Sequence, residues 1–534
     1  MTSSRPSASG SSAGRFEDIE GRLRAIEAQL WRNTSINQSA MDTDDDDQYV
    51  GASFGAHSPT PSSVDTPASL QPRKLLQLAE STEEEELPLP PRHEVDPLVD
   101  YYFEDFNQAM PIFHQEDFLA MVEDWYEIPS QRDQASWSAI NVVIALSLRH
   151  NPSRTKAGDE MASTCIRNAQ SAMDSLVYRD QDMKGLQVLL GLALLFLGTA
   201  HPHPACVLLA TAVKLAHRLK LHRKGQLDAP GNSLEQQRLF WITYIIDRTI
   251  SLHTTEPYLL RDVDMDIDIK EIQNTDTLYI AECDEVFDFF HVRVNLAFIQ
   301  GKVYDHIYSV RASKLSTSQK QAATDRLDWM LNEWYKSVPE CFTYKNAVKL
   351  DPSSQRHCIS LHMAYYQCIF SSRRANAHDK PWVKQLIDFS DTISNKGKVA
   401  TDSHLASPLL PSNWPSLVEA ARSCLALSDL IDDGDSALRW SATCACQAAI
   451  TVLAAQNLTL SQHYLHDQIE EDGMRIQRGI EQLEKNLCDA KDPYLNTIHS
   501  VCSDLGKRAA LAVVKFHENA AAGGSFWDDE LVLA

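Results

Sequence analysis

From Asp96 to about residue 520, apolar side chains recur at three- and four-residue spacings, and that rhythm confines the chain to helices. Leu98, Tyr102, Phe106 and Met110 share one helical stripe, and Leu327, Leu331 and Trp334 share another. Leu208, Thr211, Leu215 and Leu219 form a third, and Leu417, Ala421, Cys424 and Ser428 a fourth. Ile476, Ile480, Leu483 and Leu487 carry the pattern towards the end, while strand-like alternation is rare and short. The expectation is an all-α chain with one large multi-helix domain over residues 95–520. Within it, residues 396–415 (KGKVATDSHLASPLLPSNWP) read as a loop between a longer part, 95–395, and a C-terminal helical part, 416–520, of the same domain. The longest apolar run, Leu186–Leu197, is shorter than the about 20 residues a bilayer span needs, so it predicts a core helix and no membrane association.

Residues 1–92 have a different texture, rich in Ser, Pro and acid, with runs Asp44–Asp47 and Glu83–Glu86. Such a segment buries too little apolar surface to offset its ordering entropy and is expected to be a disordered arm. One island interrupts it at residues 15–30. Phe16, Ile19, Leu23, Ile26 and Leu30 alternate three and four residues apart, the a/d spacing of a coiled coil. In that register a parallel dimer would set Arg15 and Arg22 (g) against Glu20 and Glu27 (e) of a second chain, the same or a different one. The run covers only about two heptads, so a lone amphipathic helix is the competing reading. Ser58-Pro59, Thr60-Pro61 and Thr66-Pro67 are either sites of proline-directed phosphorylation or plain turn-rich linker.

The chain holds 73 acidic and 49 basic residues and a net charge of −24, of which the arm carries −7 and the remainder −17. A domain that tracks DNA phosphates on its own is locally basic, because its affinity comes from Lys and Arg displacing counterions. No stretch here has that character. Lys214, Arg218, Lys220, Arg223 and Lys224 form the one basic cluster, at a helix end where the dipole favours cations, which reads as a solvated terminus rather than a nucleic-acid surface. The 11 cysteines are odd in number and scattered from Cys165 to Cys502, and the first residues, MTSSRPSASGSSAGRF, lack the apolar core of a secretory signal. Free thiols in a soluble, intracellular protein are the expectation.

Residues 233–269 are the most informative segment. Ser233 and Gln236 have the spacing of a capping box, Leu239 to Ile246 are apolar enough to be buried on most sides, and Pro257 ends the helical pattern. An acidic strip follows at Asp262, Asp264, Asp266 and Asp268. Arg238-Leu239-Phe240-Trp241 with Tyr244 and Asp247 resembles the basic-aromatic block of the fungal-specific transcription factor domain, the middle homology region of zinc-cluster regulators. Two earlier blocks resemble the same family in the same order. They are Pro111-Ile112-Phe113-His114 with Phe118, and AVKLAHRLKLHR from Ala212 to Arg223. Lys220 stands where that family usually has glycine, and Thr255-Glu256-Pro257 where it commonly has Gly-Arg-Pro. The shared blocks read as scaffolding, with no ligand contacts.

The resemblance implies a nuclear regulator of transcription. It also implies a binuclear zinc cluster of six cysteines, with close Cys-x2-Cys pairs, N-terminal to a short dimerising coiled coil. The first cysteine here is Cys165, inside the helical region. Either an upstream segment is missing from the gene model, or the chain works without a cluster and reaches DNA through a partner. Zinc is expected only with such a cluster, and otherwise no cofactor or metal. Cys444 and Cys446 make only a Cys-x-Cys pair on a helix, and His201 and His203 have no third ligand nearby in sequence. At the other end Phe526, Trp527, Asp528, Asp529, Glu530 and Leu531 follow a Gly-Gly hinge within residues 521–534. Acids that keep aromatics in water until they dock suit an activation segment that recruits a coactivator, whereas an inert or back-packed tail is the alternative.

No nucleophile elbow, zinc-protease helix, phosphate loop or dinucleotide fingerprint occurs, so no catalytic residue is expected. Asp432-Asp433-Gly434-Asp435 reads as a helix-ending turn rather than a magnesium motif. The rival from another class is an all-α enzyme or small-molecule-binding protein, since a large helical domain can hold a pocket for an effector.

Overall fold

Short polar side chains set where many of the helices begin. The computed structural model describes residues 87–521 apart from 152–154, 174–175, 177–182, 200–202, 225–232, 268–277, 281–283, 375–379, 396–409, 411–412, 460–465 and 490–492. The N-terminal half holds α1 (Arg92–Glu104), α2 (Phe106–Ala109), α3 (Gln115–Glu127), α4 (Gln134–His150), α5 (Lys156–Ser171), α6 (Met183–Leu197), α7 (His203–Arg218) and α8 (Ser233–Thr254). After a two-stranded antiparallel hairpin, β1 (Leu278–Ile280) and β2 (Glu285–Phe287), come α9 (Phe289–Val303), α10 (Val310–Ser313), α11 (Thr317–Tyr335), α12 (Pro352–Ser372) and α13 (Lys380–Asn395). The C-terminal group is α14 (Trp414–Ser428), α15 (Ser436–Leu458), α16 (His466–Asp489) and α17 (Pro493–Ala521). Asp133 caps α4 by accepting the Ser136 N–H at 2.8 Å, and Asp351 caps α12 through the Ser353 and Ser354 N–H groups. Ser316 and Gln319 close a full capping box on α11, a signal of the same Ser-x-x-Gln form as Ser233 and Gln236. The side chain of Ser233 lies outside the described residues.

Helix α15 is the hub. It lies against α12, α14, α16 and α17, and its closely spaced alanines (Ala445, Ala448, Ala449 and Ala454 among them) are buried. Small side chains let those neighbours approach closely. Helix α6 is the core helix expected of the Leu186–Leu197 run, and it packs on α4 so tightly that a Cβ at Gly191 would sit 2.3 Å from Val142 Cγ1. No helix among the described residues is long and apolar enough to cross a membrane. Three local readings are corrected. Helix α1 starts at Arg92, and its buried line is Val95, Val99 and Tyr102 rather than Leu98, because the chain breaks at Asp105 and re-aims Phe106. Trp414 and Pro415, read as loop, form the first turn of α14, where proline lacks no needed donor. Cys341 is in a disulfide, whereas eight other described cysteines are free thiols as expected.

The turn after α8 is held by a buried ionic knot. Arg248 is fully buried and donates to Asp247 Oδ2 (2.9 Å), Leu260 O (2.7 Å) and Asp262 Oδ1 (2.6 Å). Its guanidinium lies over the Tyr258 ring at 3.6 Å and the Tyr244 ring at 4.2 Å. Asp247 in turn accepts the Leu259 and Leu260 N–H groups, and Lys302 of α9 reaches Asp262 Oδ2 at 3.4 Å. Burial works to raise the Asp262 carboxyl, but Arg248 and Lys302 outweigh it and hold it below the usual range. Asp262 to Asp264 form a 3-10 turn, Asp266 accepts the Lys224 N–H at 2.7 Å beside the exit of α7, and Asp268 lies outside the described residues.

Both positions where the resembled family favours glycine adopt left-handed backbone: Lys220 has φ 58° and Thr255 φ 57°. Lys220 ends α7 in a Schellman motif, with Leu221 N–H donating to Ala216 O (3.0 Å) and Lys220 N–H to His217 O (3.1 Å). Thr255 is a β-branched residue in a region that costs L-residues about 1–2 kcal/mol, and its side chain is exposed. Thr255→Gly is therefore expected to stabilise the domain by about 1 kcal/mol, seen as a higher urea midpoint at unchanged slope. A lower midpoint would show that the Thr255 side chain contributes more than its strain costs.

His362, on α12, points its Nε2 at Phe342 O (2.9 Å), and burial lowers it to about 4, against the hydrogen bond to that carbonyl. With the folded pKa depressed, stability is full above the unfolded value of about 6.5 and falls as acid protonates the unfolded chain alone. That single group is expected to remove about 2 kcal/mol between about pH 6.5 and pH 5. Chemical denaturation of wild type and His362→Gln at the two pH values checks it, since the variant's loss should be smaller.

Candidate functional site

Helices α6, α8, α9, α12 and α15 converge around a cavity of about 170 Å³, closed on one side by α2. Its walls are mainly apolar, among them Leu194 and Leu197 of α6, Ile245 and Ile246 of α8, Phe289 of α9 and Met363 of α12. The polar lining includes His150, Thr249, Arg293, Arg356, His357 and Gln367, and among the described residues no Asp or Glu. The cavity thus joins apolar walls to a few convergent polar groups, the usual makeup of a small-molecule site.

Its two arginines differ in what answers them. Arg356 is paired on both sides, with Asp105 from the break between α1 and α2 (3.6 Å) and with Asp435, the N-cap of α15. Asp105 also accepts a hydrogen bond from the Ser353 hydroxyl and lies 3.4 Å from His357 Nε2. Burial alone would raise its carboxyl, but His357, Arg356 and Ser353 together hold it well below the ordinary carboxylate range. One ion cluster therefore ties helices at the start of the domain to α12 and α15.

Arg293 of α9 is answered only by a hydroxyl. Its Nη2 donates to Thr249 Oγ1 at 3.2 Å, and its buried Nη1 has no hydrogen-bond partner. Burial lowers its guanidinium to about 10, with only the Cys368 thiol opposing, so it is still a cation at neutral pH. His150, at the end of α4, is held well below its ordinary value by burial and by Arg356, which makes its ring neutral, and its Nδ1 is buried without a partner. A larger and more polar groove of about 450 Å³ lies between α3, α4 and α6, with Asp117, Asp124, Asp133, Glu235 and Lys184 on its walls.

Phe113, His114 and Phe118 of the first family block line the larger groove, but none of the residues weighed in the sequence as binding, dimerisation or activation sites lines either concavity. Phe16, Ile19, Leu23, Ile26 and Leu30 lie outside the described residues, as do Phe526, Trp527, Asp528, Asp529, Glu530 and Leu531. Lys214, Arg218, Lys220, Arg223 and Lys224 are exposed around the exit of α7. His203 opens α7 on the surface, His201 is outside the described residues, and Cys446 is buried within α15. Among the described residues no three His, Cys, Asp or Glu side chains are grouped to hold a metal. The signal that could have found Arg293 was its isolation, a single arginine inside the apolar run from Phe289 to Val303.

Residues 99–336 match the fungal specific transcription factor domain. Over 365 residues the chain is 30% identical to the ABC-transporter-regulating transcription factor of Aspergillus oryzae, a match covering 66% of this chain and 40% of that protein. The transcription factor of the same description from Aspergillus fumigatus matches to the same extent. The Fusaridione A cluster transcription factor fsdR of Fusarium heterosporum is 23% identical over 437 residues, 80% of this chain and 78% of that one. The chain thus spans about two fifths of the length of the two Aspergillus relatives. No solved structure matches the chain. The three blocks from Pro111 to the turn after α8 lie inside the matched segment, as do the left-handed turns at Lys220 and Thr255. Residues 99–336 of this chain are a fungal specific transcription factor domain.

Proposed function

We propose that this chain regulates transcription in the nucleus, with its helical domain controlling activity rather than reading DNA. The observation that carries the reading is the domain match over residues 99–336, extended by similarity to an Aspergillus transcription factor across 66% of the chain. The net charge of −24 supports it, because an acidic domain repels a phosphate backbone. No two cysteines of these 534 residues stand in Cys-x2-Cys spacing, so DNA is reached through a zinc cluster outside this sequence or through a partner chain. Phe16, Ile19, Leu23, Ile26 and Leu30 make the dimer seam, with the chain itself or with a DNA-binding relative. The tail from Phe526 to Leu531 recruits a coactivator, and the helical domain responds to a small effector.

The test tethers the full chain to a heterologous DNA-binding domain upstream of a reporter. Activation severalfold above the DNA-binding domain alone is expected, and Phe526→Ala with Trp527→Ala should remove most of it. Activation unchanged by the double substitution would reject the tail, and turnover of a metabolite by the purified chain would favour the enzyme reading instead. For the seam, sedimentation of the purified chain should show a dimer that Leu23→Lys with Ile26→Lys converts to monomer. A wild-type chain that sediments as a monomer at micromolar concentration would show that this seam forms no homodimer.

A further inference from the structure

The geometry points to a ligand for the 170 Å³ cavity: a small monocarboxylic acid whose apolar body is no larger than about one aromatic ring, its carboxylate received by Arg293. The charge pattern carries this assignment. Among the described residues the cavity is lined by two arginines and no acid, and Asp105 and Asp435 already answer Arg356. Arg293 is left with the Thr249 hydroxyl on Nη2 and nothing on the buried Nη1. A partly buried guanidinium with no carboxylate beside it is unfavourable, and structures commonly pair such groups or supply them with an ion. Thr249 holds Nη2, and a small turn of the Arg293 side chain, which lines the cavity, would present its fork to an oxyanion in the two-pronged geometry in which arginine binds carboxylates best.

Size and lining define the rest of the molecule. A cavity of about 150 Å³ lined by aliphatic and aromatic side chains holds one benzene, so this one admits a single ring or a branched alkyl chain and excludes a nucleotide. Ile245, Ile246, Leu194, Phe289 and Met363 offer it apolar walls. One unanswered cation matches one negative charge. The unpartnered Nδ1 of the neutral His150 ring gives a second polar point within the same lining. The exposed Ser360 and the partly exposed Met110 bring the lining to the surface, which supplies a way in. The walls come from α8 and α9 on one side and from α12 and α15 on the other, so an acid bound there would favour their present packing. That regulatory consequence rests on the reading of the chain as a transcription regulator, whereas the binding does not.

The test is titration calorimetry and thermal unfolding of the purified full chain with benzoate, phenylacetate and isovalerate, and with benzyl alcohol as the neutral counterpart. Saturable binding of at least one acid with a raised Tm is expected, and benzyl alcohol should bind about tenfold more weakly or worse. Arg293→Met should weaken the acid by about tenfold or more and leave the unliganded Tm unchanged or higher, since it removes an unpaired buried charge. Ala364→Leu, which fills the cavity with Arg293 in place, should weaken it comparably. No binding of any of the three acids at millimolar concentration overturns the assignment. So does equal binding by Arg293→Met, or a marked fall in that variant's unliganded Tm, which would show that the protein itself satisfies the guanidinium. A failed reporter experiment would leave these binding results untouched, so the two readings fail separately.

Discussion

The fold of the matched domain hangs on one buried cation, Arg248. A fully buried guanidinium is stable only when opposite charge and acceptors meet it. Here Asp247 and Asp262 supply the charge, the Leu260 carbonyl supplies a third acceptor, and Tyr244 and Tyr258 present ring faces. Lys302 balances the second carboxylate, so the knot holds two cations and two anions. Breaking such a set from one side strands a buried charge, typically at a cost of about 3–5 kcal/mol. Helix α9 approaches this knot without a side chain at Gly301, where a Cβ would sit 2.7 Å from Arg248 Nε. The strained backbone at Thr255 lies within the same turn, where the Ser251 hydroxyl donates to Glu256 O at 2.6 Å.

The same physics governs the rest of the interior. Arg356 joins Asp105 to Asp435 and so links α12 to chain segments 330 positions apart in sequence. Arg248 and Arg356 each meet two carboxylates, and they fasten elements. Arg293 is chemically the same group in a similar setting, but it faces a cavity and has one hydroxyl for company. The difference between a structural arginine and a receptive one here is whether the fold brings a carboxylate to it.

Much of the architecture was legible in the chain. Three- and four-residue spacing is a direct imprint of the helix, so the helices at Leu327, Leu417 and Ile476 and the core helix from Leu186 follow from it. Ordered blocks around Phe113, Leu221 and Trp241 disclosed the family before any contact was known. What periodicity could not show was where a polar residue interrupts a helix to satisfy a distant one. Asp105 breaks the line from Tyr102 to Phe106 because its partners are Ser353, Arg356 and His357, more than 240 positions later. The cavity residues were equally silent. Each of them, alone, reads as a core residue or a lone charge, and their convergence is set by helices far apart in the chain.

The sequence by itself determined the helical character and the resemblance to the domain family. Those follow from local physics: side-chain spacing and cap residues. Only the tertiary structure decided which buried charges are paired. Pairing depends on distances between elements that local propensity does not encode, so Arg248 and Arg356 became fastenings while Arg293 was left open to a ligand.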